Sequence, residues 1–257
     1  MMVVFLNRAA VWCFAVLALA LPLSIARAET LVGTNIDSRV IVGMSVKTNA
    51  AQELLPDGWT TVPFPRGPLK GANLLVSFVD GVLMVDADRK PLSPSSRRAV
   101  ILLGLAKEEA GDAFRIFVMR SYTTEPENDP YGVNTSAEVM RTAALTGPAN
   151  GGRQSTDNWT MATPEGELAM TLAYTTGTRS WSASEAKSYS AANPEFFRIY
   201  RYDSLTDLVM SKALERPLSG EFSLQSSVPE LAGVFDGSEQ VMAILDIPVR
   251  VREVFLP

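Results

Sequence analysis

The chain has 257 residues, 47% of them hydrophobic and 20% charged, with a formal net charge of −5, no histidine and a single cysteine. An acidic chain without clustered Lys and Arg has nothing with which to release counterions from nucleic acid, so no nucleic-acid partner is expected. The missing imidazole excludes Ser-His-Asp and Cys-His catalysis and Cys/His zinc sites, and carboxylates, Lys, Arg, Tyr and hydroxyls remain for chemistry; no metal site and no cofactor is expected.

In chain order, residues 1–28 read first as a signal peptide. Met1 to Asn7 carry no acid, Arg8 supplies a positive charge, and the residues from Ala9 to Leu21 are all apolar. Pro22 ends the run, and Ala26-Arg27-Ala28 places small residues at both recognition positions of a cleavage site. At about 1.5 Å per residue this apolar run is too short for a hydrocarbon core of about 30 Å, which argues against an uncleaved anchor. Cleavage after Ala28 predicts a secreted or periplasmic protein with no membrane anchor, composed of one domain over residues 29–257. It also removes Cys13, Arg8 and Arg27, leaving no disulfide and a net charge of about −7.

The rest of the chain is dominated by short alternating apolar segments rich in Val, Ile, Tyr and Phe between Gly, Pro, Asn and Asp clusters, the pattern of an all-β domain with minor helix. Val40, Val42, Met44 and Val46 alternate cleanly, and Thr48-Asn49 offers an N-cap for a short helix to Leu55 that Pro56 and Asp57-Gly58 end. The apolar stretch from Ala72 to Val85 predicts two strands meeting at a turn near Asp80-Gly81. Further strands are predicted at 99–107, 114–122, 139–145, 158–163, 167–175, 182–190, 196–203, 205–211 and 222–227. A long C-terminal strand from Gln240 to Phe255 follows, bent at Pro248. Pro164-Glu165-Gly166 marks the clearest hairpin, and 123–136 and 147–154 read as extended loops. A single closed or nearly closed antiparallel β-barrel with a few short helices accounts for this many strands, because closure removes exposed edges.

The stretch Arg39-Val-Ile-Val-Gly-Met-Ser-Val-Lys47, followed by Thr48-Asn-Ala-Ala-Gln-Glu-Leu-Leu-Pro-Asp-Gly-Trp59, resembles the N-terminal part of acetoacetate decarboxylases and their relatives. That family shows a strand, a short helix ending in a Leu/Val-Leu/Val-Pro turn, and a strand leading into a barrel. The resemblance implies a lysine that forms a Schiff base with a substrate carbonyl, its pKa lowered by an adjacent cation, with a carboxylate and an arginine completing the pocket. Arg39 falls near the family's arginine, and Asp86 and Asp88 where its acid would lie. The lysine pair is missing: no lysine occurs between Lys107 and Lys187, and the corresponding region reads Arg120-Ser121-Tyr122-Thr123-Thr124-Glu125. The resemblance therefore implies the barrel without Schiff-base decarboxylation.

Five residues are the candidates for a site. Arg39 offers a bidentate fork to a carboxylate, or pairs structurally with a neighbouring acid. Asp86 and Asp88, two apart, either share a face as a general acid/base pair or cap the Asp88-Arg89-Lys90-Pro91 turn. Arg120 and Tyr122, also two apart on a strand, present a cation and a phenol to a ligand, or pack at the rim. Of Arg97 and Arg98 only one can face a cavity. Glu195-Phe-Phe-Arg-Ile-Tyr-Arg-Tyr202 is expected to pack aromatics on one face and snorkel arginines on the other. Three functions remain open: an exported protein binding a small organic acid or carbonyl compound through Arg39, Arg120 and Tyr122; a lyase or hydrolase using Asp86 and Asp88; and a non-catalytic envelope interaction domain.

Overall fold

The computed structural model describes residues 28–257, and the signal-peptide segment expected N-terminal to Ala28 lies outside them. Thirteen strands follow: β1 (Thr30–Ser45), β2 (Trp59–Thr61), β3 (Leu74–Asp86), β4 (Arg97–Glu108), β5 (Phe114–Thr123), β6 (Asn134–Ser136), β7 (Glu138–Thr146), β8 (Gln154–Thr163), β9 (Gly166–Thr175), β10 (Ser180–Ser190), β11 (Phe197–Ser211), β12 (Gly220–Ser226) and β13 (Gln240–Leu256). One short helix, α1 (Thr48–Gln52), sits between β1 and β2, with Lys47 rather than the expected Thr48 or Asn49 at its N-cap. Among the described residues no helix is long and apolar enough to cross a membrane.

Nine strands form one sheet in the order β2-β4-β3-β1-β13-β11-β10-β5-β6, and a further pairing of β4 with β5 closes seven of them into a ring. Outside the ring β6 pairs in parallel with β5, and within the ring the junctions are antiparallel except one: β10 runs parallel to β5 through Ser188–Ser190 and Ile116–Val118. That seam departs from the expected all-antiparallel closure, because a long excursion between β5 and β10 brings the chain back in the same direction. The excursion carries β7, β8 and β9, and β12, which follows β11, joins them in a separate four-stranded antiparallel sheet, β12-β9-β8-β7, that packs against the outside of the ring.

The period of two decides what each face buries. On β1, Val40, Val42 and Met44 point outward into the core, joined by Leu74, Val76 and Phe78 of β3 and by Phe117 and Met119 of β5. Trp159, Met161, Leu168, Met170 and Leu172 of the smaller sheet meet them. The hydrophobic core thus lies between ring and sheet, not inside the ring. Arg141 of β7 stitches the two layers: it donates to both carboxylate oxygens of Asp157 at 2.9 and 2.7 Å and to Asp80 of β3 at 3.2 Å, and it also bonds Ser38 of β1.

Two local expectations are corrected. No hairpin occurs at Asp80-Gly81, where β3 continues with Gly81 paired to Asp37 on one side and Arg97 on the other and a register shift against β1 at Val82. Cross-strand pairing along the whole segment outweighs the local turn signal, and the chain turns instead after Asp86, with Arg89 at φ 64°. The segments 196–203 and 205–211 likewise merge into one strand, β11, because β13 pairs with both. The hairpin at Pro164-Glu165 forms as expected between β8 and β9, and the register of β13 against β1 slips where Pro248 falls, between the partners of Asp37 and Arg39.

Candidate functional site

The inward residues of the seven ring strands enclose a cavity of about 190 Å³. The segment between β5 and β7 adds Asn128, Pro130, Tyr131 and Asn134 to its wall. Apolar side chains such as Ile41, Leu75, Ile101 and Ile116 line one part. The rest is cationic, with five arginines (Arg39, Arg97, Arg198, Arg250 and Arg252) and one carboxylate, Asp37.

Register brings these residues together from distant parts of the chain. Arg250 of β13 lies opposite Asp37 on one side and Ser204 on the other, and Arg252 lies opposite Asn35 and Tyr202. Gly81 carries the row onward from Asp37 to Arg97. Asp37 and Arg39, buried and two apart on β1, form a bidentate pair with Nε to Oδ1 at 2.7 Å and Nη2 to Oδ2 at 2.6 Å. Burial alone would raise the Asp37 carboxyl, but the Arg39 charge and hydrogen bonds, helped by Arg252 and Arg250, hold it below its ordinary value. Arg250 donates Nε to Ser204 Oγ at 2.9 Å and stacks 4.2 Å from the Tyr202 ring centroid. Arg252 stacks similarly on Tyr200 at 4.7 Å. The Tyr131 and Tyr200 hydroxyls meet at 2.6 Å, and burial together with Tyr200 pushes the Tyr131 phenol far up, so it remains neutral. Such a surface holds anionic oxygen: forks for bidentate contact, phenols and a hydroxyl for single hydrogen bonds, and low-dielectric walls that strengthen each.

Of the five residues singled out from sequence, only Arg39 lines this cavity. Arg120 and Tyr122 face the other way. The register of β5 against β4 steps from Val118 opposite Leu103 to Arg120 opposite Leu102, leaving Met119 as an extra residue. That bulge inverts the phase of the strand, so Ser121 faces the cavity while Arg120 and Tyr122 turn to the outer side. There both bind Glu230, Arg120 through Nε at 3.2 Å and Tyr122 through its hydroxyl. Asp86 and Asp88 do not converge on the cavity either. Asp86 Oδ1 accepts the backbone N–H groups of Asp88 and Lys90 at 2.9 Å each, the turn-capping arrangement, and Asp88 is exposed beyond the end of β3. Arg97 lines the cavity and Arg98 points out to Asp80, at 3.1 Å. On β11 the expected segregation fails, since Arg198 shares the inward face with Tyr200 and Tyr202.

The residues missed have a signal in common. Asp37-x-Arg39, Arg198-x-Tyr200-x-Tyr202 and Arg250-x-Arg252 are polar pairs or triplets at a spacing of two inside long strands, with Ser38, Ile199, Arg201 and Val251 between. A charged stripe of that period within an apolar strand marks an inward polar face.

No protein-family model matches the sequence, and no curated protein matches it. Solved structures do resemble it. The enduracididine biosynthesis enzyme MppR complexed with pyruvate superposes with a TM-score of 0.56 at 10% identity, covering 90% of this chain and 91% of that one. The acetoacetate decarboxylase-like enzyme from Sphingomonas wittichii RW1 gives 0.53 at 13%, covering 89% and 91%. The chain has the acetoacetate decarboxylase-like fold. In this acetoacetate decarboxylase-like ring, the described residues that line the cavity include no lysine. Lys187 of β10, adjacent in sequence to the lining residues Ala186 and Ser188, has its amine 5.6 Å from the Phe197 ring centroid.

Proposed function

We propose that this is an exported protein that binds a small organic acid or carbonyl compound as an anion in the cavity of its ring, without Schiff-base chemistry. The observation that carries the reading is the cavity's charge: five guanidinium groups against one carboxylate, within a chain that is acidic as a whole. Bidentate forks and stacked arginines are suited to a carboxylate. MppR, which shares the fold, has been obtained with pyruvate and with HEPES bound, both small organic anions. The absence of a lining lysine supports binding without covalent imine formation, since no amine stands where a carbonyl would enter. The carboxylate acid/base alternative has less support, because Asp86 and Asp88 are engaged in a turn or exposed.

Thermal unfolding in a series of pyruvate concentrations at fixed ionic strength tests the reading. At a hundred times Kd the protein gains about 2.7 kcal/mol, which for a chain of this size raises Tm by roughly 5–10 °C. Arg250→Gln should reduce that rise. An equal rise in both proteins removes the cavity assignment. Borohydride treatment in the presence of pyruvate should leave the protein mass unchanged, and a stable mass gain would overturn the non-covalent part.

A further inference from the structure

We infer that the ligand carries at least two anionic groups, and that Arg97, Arg198, Arg250 and Arg252 receive them; this rests on the reading of the cavity as an anion site and sharpens it.

Charge accounting leads there. Arg39 and Asp37 satisfy each other through two short hydrogen bonds, so that pair is electrically closed. The other four guanidiniums remain. Among the described residues none of them has a carboxylate within ion-pair distance, although arginines elsewhere in the molecule are paired: Arg98 with Asp80, Arg115 with Glu195, Arg141 with Asp157 and Arg201 with Glu185. The protein has 28 acidic residues, and the ring interior holds only one of them. A single bound carboxylate would offset one of four unpaired charges.

The hydrogen-bond inventory points the same way. The Nε groups of Arg198 and Arg252 are buried with no partner, and so is the hydroxyl of Ser77 on the cavity wall. A buried donor left unpaired is costly, more so when it is charged, and native proteins keep few of them. The hydrogen-bond and stacking partners of Arg250, Ser204 and the face of Tyr202, are both neutral. Burial and the nearby guanidiniums, Arg39 for Arg250 and Arg252 for Arg97, push both groups below the ordinary arginine value against the pull of Asp37, the one carboxylate of the cavity wall. Arg250 and Arg252 stand two residues apart on one strand, about 6.6–6.8 Å of rise. Two anionic groups separated by a short carbon chain match that spacing, and either two carboxylates or a carboxylate and a phosphate ester provide them.

Calorimetric titration of the purified protein at fixed ionic strength, with butyrate, succinate, tricarballylate and phosphoglycolate, tests this. Succinate should bind at least tenfold more tightly than butyrate, and tricarballylate at least as tightly as succinate. Phosphoglycolate binding tighter than succinate supports the inference and assigns the second group as phosphate; the reverse order supports it with a carboxylate. Arg252→Gln and, separately, Arg198→Gln should each lower the succinate-to-butyrate affinity ratio at least fivefold. Arg98→Gln, outside the cavity, should leave that ratio unchanged. Equal affinity for butyrate and succinate overturns the inference while leaving the anion site intact. No binding of any of the four, with no Tm response to pyruvate, removes the site itself.

Discussion

Asp37 is the one acid among the cavity's arginines, and its removal isolates a buried charge. Asp37→Asn should cost about 3–5 kcal/mol at neutral pH, because the Arg39 guanidinium stays buried while its partner's charge is lost. The pH dependence has a definite sign. The folded carboxyl titrates below its value in the unfolded chain, so the pair stabilises the protein at every pH above the unfolded value and loses that contribution as pH falls through the folded one. The stability gap between wild type and Asp37→Asn, measured by urea unfolding, should therefore be full at pH 7 and shrink progressively below about pH 4. A gap that is constant with pH would mean that the carboxylate's charge contributes nothing. At this scale Arg39 was legible, since an arginine at the head of an alternating strand invites the reading. The pairing with a neighbouring acid was legible too, but that the acid is Asp37, and that Arg250 and Arg252 join the site, has only their period of two as a signal in the sequence.

Strand phase decides the fate of Arg120 and Tyr122, and turn capping that of Asp86 and Asp88. The extra residue at Met119 exchanges the two faces of β5, so the pair Arg120 and Tyr122 leaves the cavity and Ser121 enters it. A bulge has no reliable sequence marker here, because Met119 is an ordinary core residue on either count. The hairpin foreseen at Asp80-Gly81 fails for the opposite reason: a strong local turn signal is overridden by β1 and β4, which pair with β3 across it. The smaller sheet is the element that holds the ring's outer face away from water. Trp159, 1% exposed, lies 5.7 Å from Phe78 across the layers, with Arg141 stacked at 5.1 Å. Trp159→Ala should cost about 3–5 kcal/mol in chemical denaturation. Because the core is outside the ring, the variant should keep the ligand preference of the wild type; a changed preference would show that the two sides of the ring are mechanically coupled.

At the scale of the whole molecule the charges are sorted: an acidic chain encloses a cationic interior. Export is proposed from the N-terminal segment. Mass spectrometry of the protein recovered from the periplasm or medium should give a chain beginning at Glu29, with a net charge of about −7. Recovery of the uncleaved chain from the membrane fraction would overturn both cleavage and the soluble destination. From the sequence by itself, composition removed imidazole chemistry, the period of two established an all-β chain, and the strand-helix-Leu-Pro pattern pointed to the fold that solved structures share. These are local properties, carried by neighbours in sequence. The cavity is not local: its wall takes residues from strands as far apart as β1 and β13, brought into one row by register alone. Which side chains face inward depends on bulges and on the parallel seam that closes the ring, and those are settled by long-range pairing rather than by any short stretch of residues.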